Sequence, residues 1–328
     1  MTTPSPNAPL PRLPRRHNTI SVDSRSAALG IIFMITAAML HSLGSVISKI
    51  LLEVFSAPQL SLLRNIFTLI SLLIIVIIYY RDKIKLTKKD IPSLIGYGIA
   101  STVVSPFMFL NAIDRVSVGV VLIVEYTAPI LIIFWLRIFN GTRIRPGIII
   151  GVSICMIGLM LVALPTGGVE VDGVGMAFAF GAAVSLAAGY LLAGKALEKR
   201  PAPIVSLFGF IIGTVAWIVV VPAWNFPADL LFNEIAIPQL EKLDSIPALW
   251  IILSIAIFCS VTPALMVLQG VKLIGPARAS AISMSEPVFS TIIAWIILSE
   301  YLNSYQILGG IIAIMGLIYL EGPWRKPT

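Results

Sequence analysis

Charge is what this sequence has least of. Only 12 % of its 328 residues are charged, against 58 % apolar, whereas a soluble chain keeps about a quarter of its residues charged. The length alone admits two or three soluble domains; the composition points to one membrane-embedded unit. Cysteine is scarce as well. Cys155 and Cys259 both lie inside apolar runs, which excludes a disulfide framework and metal-ligand spacing, and each reads as a small core residue. The only histidines are His17, in the N-terminal segment, and His41. No Asp lies well inside an apolar run. An intramembrane enzyme needs a nucleophile–base pair or metal ligands at one depth, and this sequence offers neither, so no metal and no cofactor is expected.

What the sequence does have is apolar runs. A bilayer core about 30 Å thick takes roughly 20 apolar residues as helix. Ten such runs follow one another, at 30–50, 59–80, 91–112, 116–136, 146–163, 173–193, 203–221, 248–269, 276–298 and 304–320. Strands are excluded there, because an open sheet edge stays unsatisfied in lipid. Residues 1–28 are rich in Pro, Ser and Arg, and the apolar run that follows is of full membrane length without a cleavage site. They read as a disordered cytoplasmic tail ahead of an uncleaved first helix.

The net charge of +7 invites a nucleic-acid reading, which fails once the charges are placed. Lys and Arg collect in alternate segments: the N-terminal tail, 81–90, 137–145, 195–200, Lys272 and the C-terminal tail. Of the 23, only Arg115 and Lys242 fall in the intervening loops, and Lys49, Arg64 and Arg278 stand at or inside helix ends. This is a positive-inside pattern. It predicts a multi-pass protein of a bacterial-type inner (plasma) membrane with both termini cytoplasmic and no nucleic-acid partner. The opposite loops are acidic, with Glu53, Glu170, Asp172, Asp229, Glu234, Glu241 and Asp244. The longest of them, 222–247, carries Trp224, Phe226 and Phe232, and reads either as a segment lying on the membrane surface or as a plain linker.

The chain also repeats itself. Gly151 and Gly158 recur as Gly309 and Gly316, Pro129 as Pro287 and Asn111 as Gln269, all at an offset of 158 residues; Pro106 and Pro263 are one residue closer. Each repeat holds five runs, an odd number, so the two halves enter the membrane from opposite sides, as in carriers built from inverted repeats. The expected fold is all-α: ten transmembrane helices as two inverted five-helix repeats, 29–165 and 172–321, between the 1–28 and 322–328 tails. The sixth run places small residues at every fourth position, Gly173, Ala177, Gly181, Ser185, Gly189 and Ala193, a seam that lets helix backbones approach closely.

A few polar groups interrupt the apolar runs. Glu125 and Glu286 each stand about ten residues into a run, near mid-membrane, where a charge costs at least about 2.5–3.5 kcal/mol and marks a cavity, a substrate path or a proton path. Each precedes a helix proline, Pro129 or Pro287, and a proline frees a backbone carbonyl; the helix-kink prolines are Pro106, Pro129, Pro263 and Pro287. A structural, hydrogen-bonded role for either acid is the alternative. His41 has a side chain suited to carrying protons or to satisfied packing. Arg64 pairs with Glu53, binds a substrate carboxylate, or snorkels to the interface. Tyr126, Asn111 and Gln269, with Trp135, Tyr190 and Ser285, are the remaining candidates for a polar cavity wall.

These residues bring a family into view. Glu125-Tyr-Thr-Ala-Pro129, Gly151 with Gly158, Gly275-Pro-Ala-Arg-Ala-Ser280, Ser285-Glu-Pro287, Leu298-Ser-Glu300 and Gly309 with Gly316 resemble the drug/metabolite transporter superfamily, in its exporter branch with duplicated EamA domains. Where that family often has Gly-Glu-Arg after the fourth helix, this chain reads Asn140-Gly-Thr-Arg143. The resemblance implies a ten-helix basket around a central cavity, efflux of amino acids or related metabolites, and proton antiport. The expectation is therefore a secondary transporter of a small polar or amphipathic molecule, with the bilayer, the substrate and protons as its partners, acting as a monomer or homodimer. An uptake carrier of the same fold and a passive facilitator or channel are the rival readings.

Overall fold

The computed structural model describes residues 24–142, 146–163, 172–221, 226–235, 246–298 and 302–321. The expectations for His17, Arg143, Arg145, Glu170, Trp224, Glu241, Lys242, Asp244 and Glu300, and for the 322–328 tail, lie outside the described residues.

Each apolar run is helical. α1 (Ser24–Leu51) and α2 (Ala57–Tyr79) are uninterrupted. The third run is α3 (Ile91–Gly98), a π-helical segment Ile99–Val104 and α4 (Ser105–Ile113). The fourth is α5 (Val118–Glu125) and α6 (Ala128–Phe139), separated by a turn at Tyr126 and Thr127. α7 (Pro146–Val162), α8 (Gly173–Leu197) and α9 (Ala202–Val220) follow. The eighth run repeats the third: α10 (Ala248–Ala256), a π-helical Ile257–Val261 and α11 (Thr262–Ile274). The ninth repeats the fourth: α12 (Pro276–Ser283), a turn at Met284 and Ser285, and α13 (Glu286–Leu298). α14 (Ser304–Glu321) closes the fold. Eight of these spans are long and apolar enough to cross a membrane, and Pro146–Val162 and Ser304–Leu320 are shorter apolar helices. α1 takes in Arg25, so the helix starts inside the segment expected as tail. The chain is not wholly helical: a two-stranded pair, β1 (Glu234–Ile235) with β2 (Ile246–Pro247), sits in the loop between α9 and α10.

The prolines explain the interruptions. Proline has no N–H and crowds the carbonyl four residues before it, and a single widened turn relieves that conflict. Each π-helical segment ends two residues before Pro106 or Pro263. The carbonyl of Thr102, to which Pro106 has no N–H to donate, accepts from Trp217 Nε1 of α9 at 3.1 Å. Pro129 and Pro287 stand in the first turns of α6 and α13, directly after the two breaks.

The four glycines of the long-range repeat meet at one crossing. α7 and α14 make the most extensive helix pair of the molecule. A Cβ on Gly158 would lie 2.6 Å from the Gly309 carbonyl oxygen, and one on Gly316 2.9 Å from that of Gly151. Because Gly151 faces Gly316 while Gly158 faces Gly309, the two helices run antiparallel. The small-residue seam of α8 packs on the third span: Ser185 Oγ donates to the Ala100 carbonyl at 3.0 Å, and Gly189 leaves room for Ser101.

Outside, the helices present apolar side chains, such as Ile78, Phe134 and Ile318, all more than 60 % exposed. A belt of this kind is untenable in water and makes a lipid-facing surface. At one end of the bundle, Arg200, at the α8–α9 turn, clasps Asp90, which precedes α3. Nε donates to Asp90 Oδ2 at 3.1 Å, Nη2 binds the same oxygen, and Nη1 donates to the Lys83 carbonyl at 3.1 Å. Thr87 adds its backbone N–H and its hydroxyl, at 3.0 and 2.7 Å. The Arg200 guanidinium, with help from Thr87, holds the Asp90 carboxyl well below the usual carboxylate range.

Candidate functional site

The helices enclose a central cavity of about 1130 Å³, room for a metabolite-sized ligand. Every interruption described above borders it. The π-helical segment of the third span contributes Ser101 and Thr102, and the two breaks contribute Glu125, Tyr126, Glu286 and Pro287. This placement follows from physics: irregular backbone at membrane depth is tolerated only where it is buried in protein or lines a water-filled space. The cavity reaches Leu52, Val118, Gly119 and Ala163 at one end of the bundle. Towards the Asp90–Arg200 end it stops at Met34, Tyr97, Ala193 and Val271.

The two breaks lie 158 residues apart, yet their acids do not correspond. Glu125 is the last residue of α5, ahead of its break, and Glu286 is the first of α13, after its break. Their surroundings differ accordingly. Glu125 Oε1 meets Ser105 Oγ at 3.5 Å, the outer limit of a hydrogen bond. Ser105 is placed there by the π-helical turn that Pro106 imposes. Glu286 has a fuller setting. Its Oε2 stands 3.9 Å from His41 Nδ1, and its backbone carbonyl accepts from Ser42 Oγ at 2.8 Å. It also lies within the electrostatic reach of Glu125 and Arg64.

Arg64 turns inward rather than snorkelling to the interface or pairing with Glu53. Its Nη1 donates to Ser48 Oγ at 3.4 Å and its Nη2 to Ser260 Oγ at 3.2 Å, which bridges α2 to α1 and to the π-helical segment of the eighth span. Tyr126 is buried beside Glu125, and Tyr190 of α8 also faces the cavity.

The cavity thus gathers His41, Arg64, Glu125, Tyr126, Tyr190 and Glu286 of the sequence candidates. Asn111 and Gln269 do not line it; Asn111 Nδ2 donates instead to the Phe107 carbonyl of its own helix at 2.8 Å. Trp135 faces outward, 47 % exposed, its ring 4.2 Å from that of Phe139. Ser285 is buried, with no partner for its hydroxyl among the described residues, and lies off the cavity wall. Pro106 and Pro287 line the wall, while Pro129 and Pro263 stand behind it. Sequence reading missed Ser61, Asn65 and Thr68, which share the cavity face of α2 with Arg64. Arg64, Asn65 and Thr68 stand three, four and seven residues after Ser61, and that spacing was the available signal, one polar face on an otherwise apolar helix.

Comparison with known proteins agrees with this architecture. A profile of the EamA-like transporter family matches the chain twice, at residues 28–164 and 173–321. An "Uncharacterized transporter" of Clostridium kluyveri is 21 % identical over 298 residues, which cover 88 % of this chain and 92 % of that protein. A crystal structure superposes with a TM-score of 0.72 at 14 % identity, covering 89 % of this chain and 96 % of that one; at that identity the likeness is one of fold.

Proposed function

The chain belongs to the EamA-like transporter family, and on that premise we propose that it is a secondary active exporter of a small polar or amphipathic metabolite such as an amino acid. It works by alternating access and proton antiport. The fold is read as ten membrane-crossing helices in two inverted five-helix repeats. The twice-matched family profile and the antiparallel crossing of α7 and α14, the fifth helix of each half, support that reading.

The observation that carries the function is the central cavity with two carboxyl side chains on its wall. A carboxyl group at that depth is costly and is retained where it exchanges a proton or meets a cationic group. Glu125, whose carboxyl group meets a serine hydroxyl at the limit of hydrogen bonding and, among the described residues, no charged side chain within 4 Å, serves as the principal site, with Glu286 and His41 in support. The bilayer is a bacterial-type inner membrane, and the positive-inside pattern sets both termini in the cytoplasm. The cavity then opens outward, and the Asp90–Arg200 clasp stands at the closed cytoplasmic end. Rocking one half on the other at the α7–α14 and α8 seams would exchange the two openings.

Inside-out vesicles with an imposed pH gradient test direction and coupling together. Substrate should accumulate in the vesicle lumen as protons leave it, and Glu125→Gln should abolish that accumulation. Movement only down the substrate gradient would make the protein a facilitator, and accumulation in right-side-out vesicles would make it an uptake carrier.

A further inference from the structure

Of the two basic side chains on the cavity wall, Lys49 and Arg64, Arg64 is as informative as the acids. Arg64 carries five N–H donors, and among the described residues its hydrogen bonds are the two long ones to Ser48 and Ser260. Among the described residues no carboxylate lies within 4 Å of its guanidinium. A guanidinium kept at membrane depth without a contacting counter-ion is costly, and hydroxyls 3.2–3.4 Å away offset little of that cost. They do hold the fork in place.

The surroundings of Arg64 repeat the pattern. Ser61, Asn65 and Thr68 lie on the same face of α2, and all border the cavity. The Asn65 side-chain amide donates to the Ser61 carbonyl at 2.8 Å, which anchors its nitrogen. Thr68, with no exposed surface, has a hydroxyl without a hydrogen-bond partner among the described residues. One helical turn thus supplies a fixed cation with donors to spare and an unpartnered hydroxyl beside it.

We infer that the α2 face around Arg64 is an anion subsite, and that the transported molecule carries a carboxylate which docks on it. This deepens the exporter reading and rests on it. Arginine forks bind carboxylates through paired, charge-assisted hydrogen bonds, and Thr68 offers a further donor on the same face. With Glu125 and Glu286 on other elements of the same chamber, the site has an anion-binding side and an acidic side. It suits a molecule whose carboxylate is set apart from an amine or hydroxyl.

The test uses purified full-length protein in proteoliposomes. The probes are a labelled panel of α-amino acids and small hydroxy- and keto-carboxylates, each paired with its amide and, for the amino acids, with the amine left after loss of the carboxylate. At least one acid should be transported tenfold or more faster than its neutral or amine counterpart. Arg64→Gln should erase that preference and Arg64→Lys should keep part of it. Thr68→Val, a near-isosteric change, should reduce the preference without lowering the yield of folded protein. Equal transport of acids, amides and amines by the unaltered protein would overturn the inference and leave the carrier reading standing. Transport of no probe at all would reject both.

Discussion

The fourth and ninth spans break at the same point of the repeat, yet the two breaks carry different equipment. At the first, Glu125 precedes the turn and meets one serine at the limit of hydrogen-bonding distance. At the second, Glu286 follows the turn, stands beside His41, and has its backbone pinned by Ser42. Duplication supplied one backbone device twice, a proline-induced break that opens membrane-embedded backbone onto a cavity. Side chains then diverged on it. In the proposed cycle, Glu125, with no charged side chain of the described residues in contact, exchanges the proton, and Glu286, beside His41, sets the field in which that exchange occurs.

The largest effect is therefore expected at Glu125. Glu125→Gln should lower proton-coupled flux by about a hundredfold or more, the scale of losing a positioned proton-transfer group, as measured in proteoliposomes under a pH gradient. Glu286→Gln should cost about tenfold, the scale of a single charge-assisted contact. Equal losses would erase the proposed division of labour. Ser105→Ala should change flux by only about twofold, since a bond at 3.5 Å contributes little.

Stability measurements separate these local effects from global damage. Gly158→Val forces a branched side chain into the backbone contact with α14 and should destabilise the protein by about 1–3 kcal/mol. Gly173→Ala, where no atom lies within 4 Å of the added carbon, should leave the melting temperature in detergent unchanged. The Asp90–Arg200 clasp adds a check on pH. The folded Asp90 carboxyl lies below its ordinary range, so its stabilising contribution is complete above the unfolded value of about 4 and is lost only as pH falls through the lower, folded value. Between pH 5 and 8 the clasp does not titrate. Asp90→Asn should thus leave the shape of the transport–pH profile in that window unchanged while favouring opening at that end.

Much of this was legible in the sequence. Apolar run length located the helical runs, eight of which are long and apolar enough to cross a membrane, and the prolines and glycines at a 158-residue offset marked the breaks and the α7–α14 crossing, because such residues act on the backbone wherever the helix points. What was not legible was rotation. Asn111 and Gln269 match the repeat as well as Pro129 and Pro287 do, but their helices turn them off the cavity. Trp135 faces outward for the same reason, since a lipid-facing helix carries apolar residues all round and gives little phase. Arg64 was visible as a charge, whereas its inward direction follows from Ser48 and Ser260, on α1 and the eighth span. The α2 stripe was the exception, a phase signal written in Ser61, Asn65 and Thr68 that a search for charged residues alone passes over.

The central claim is that a chamber reached by water runs from one membrane face to Glu125. Both native cysteines are buried, so a Cys155→Ala, Cys259→Ala background isolates one added thiol. Glu125→Cys in that background, treated in intact cells with a charged, membrane-impermeant thiol reagent, should be modified from the outer face, and a carboxylate substrate in excess should slow the reaction. No modification in intact cells or in inside-out vesicles would contradict the account.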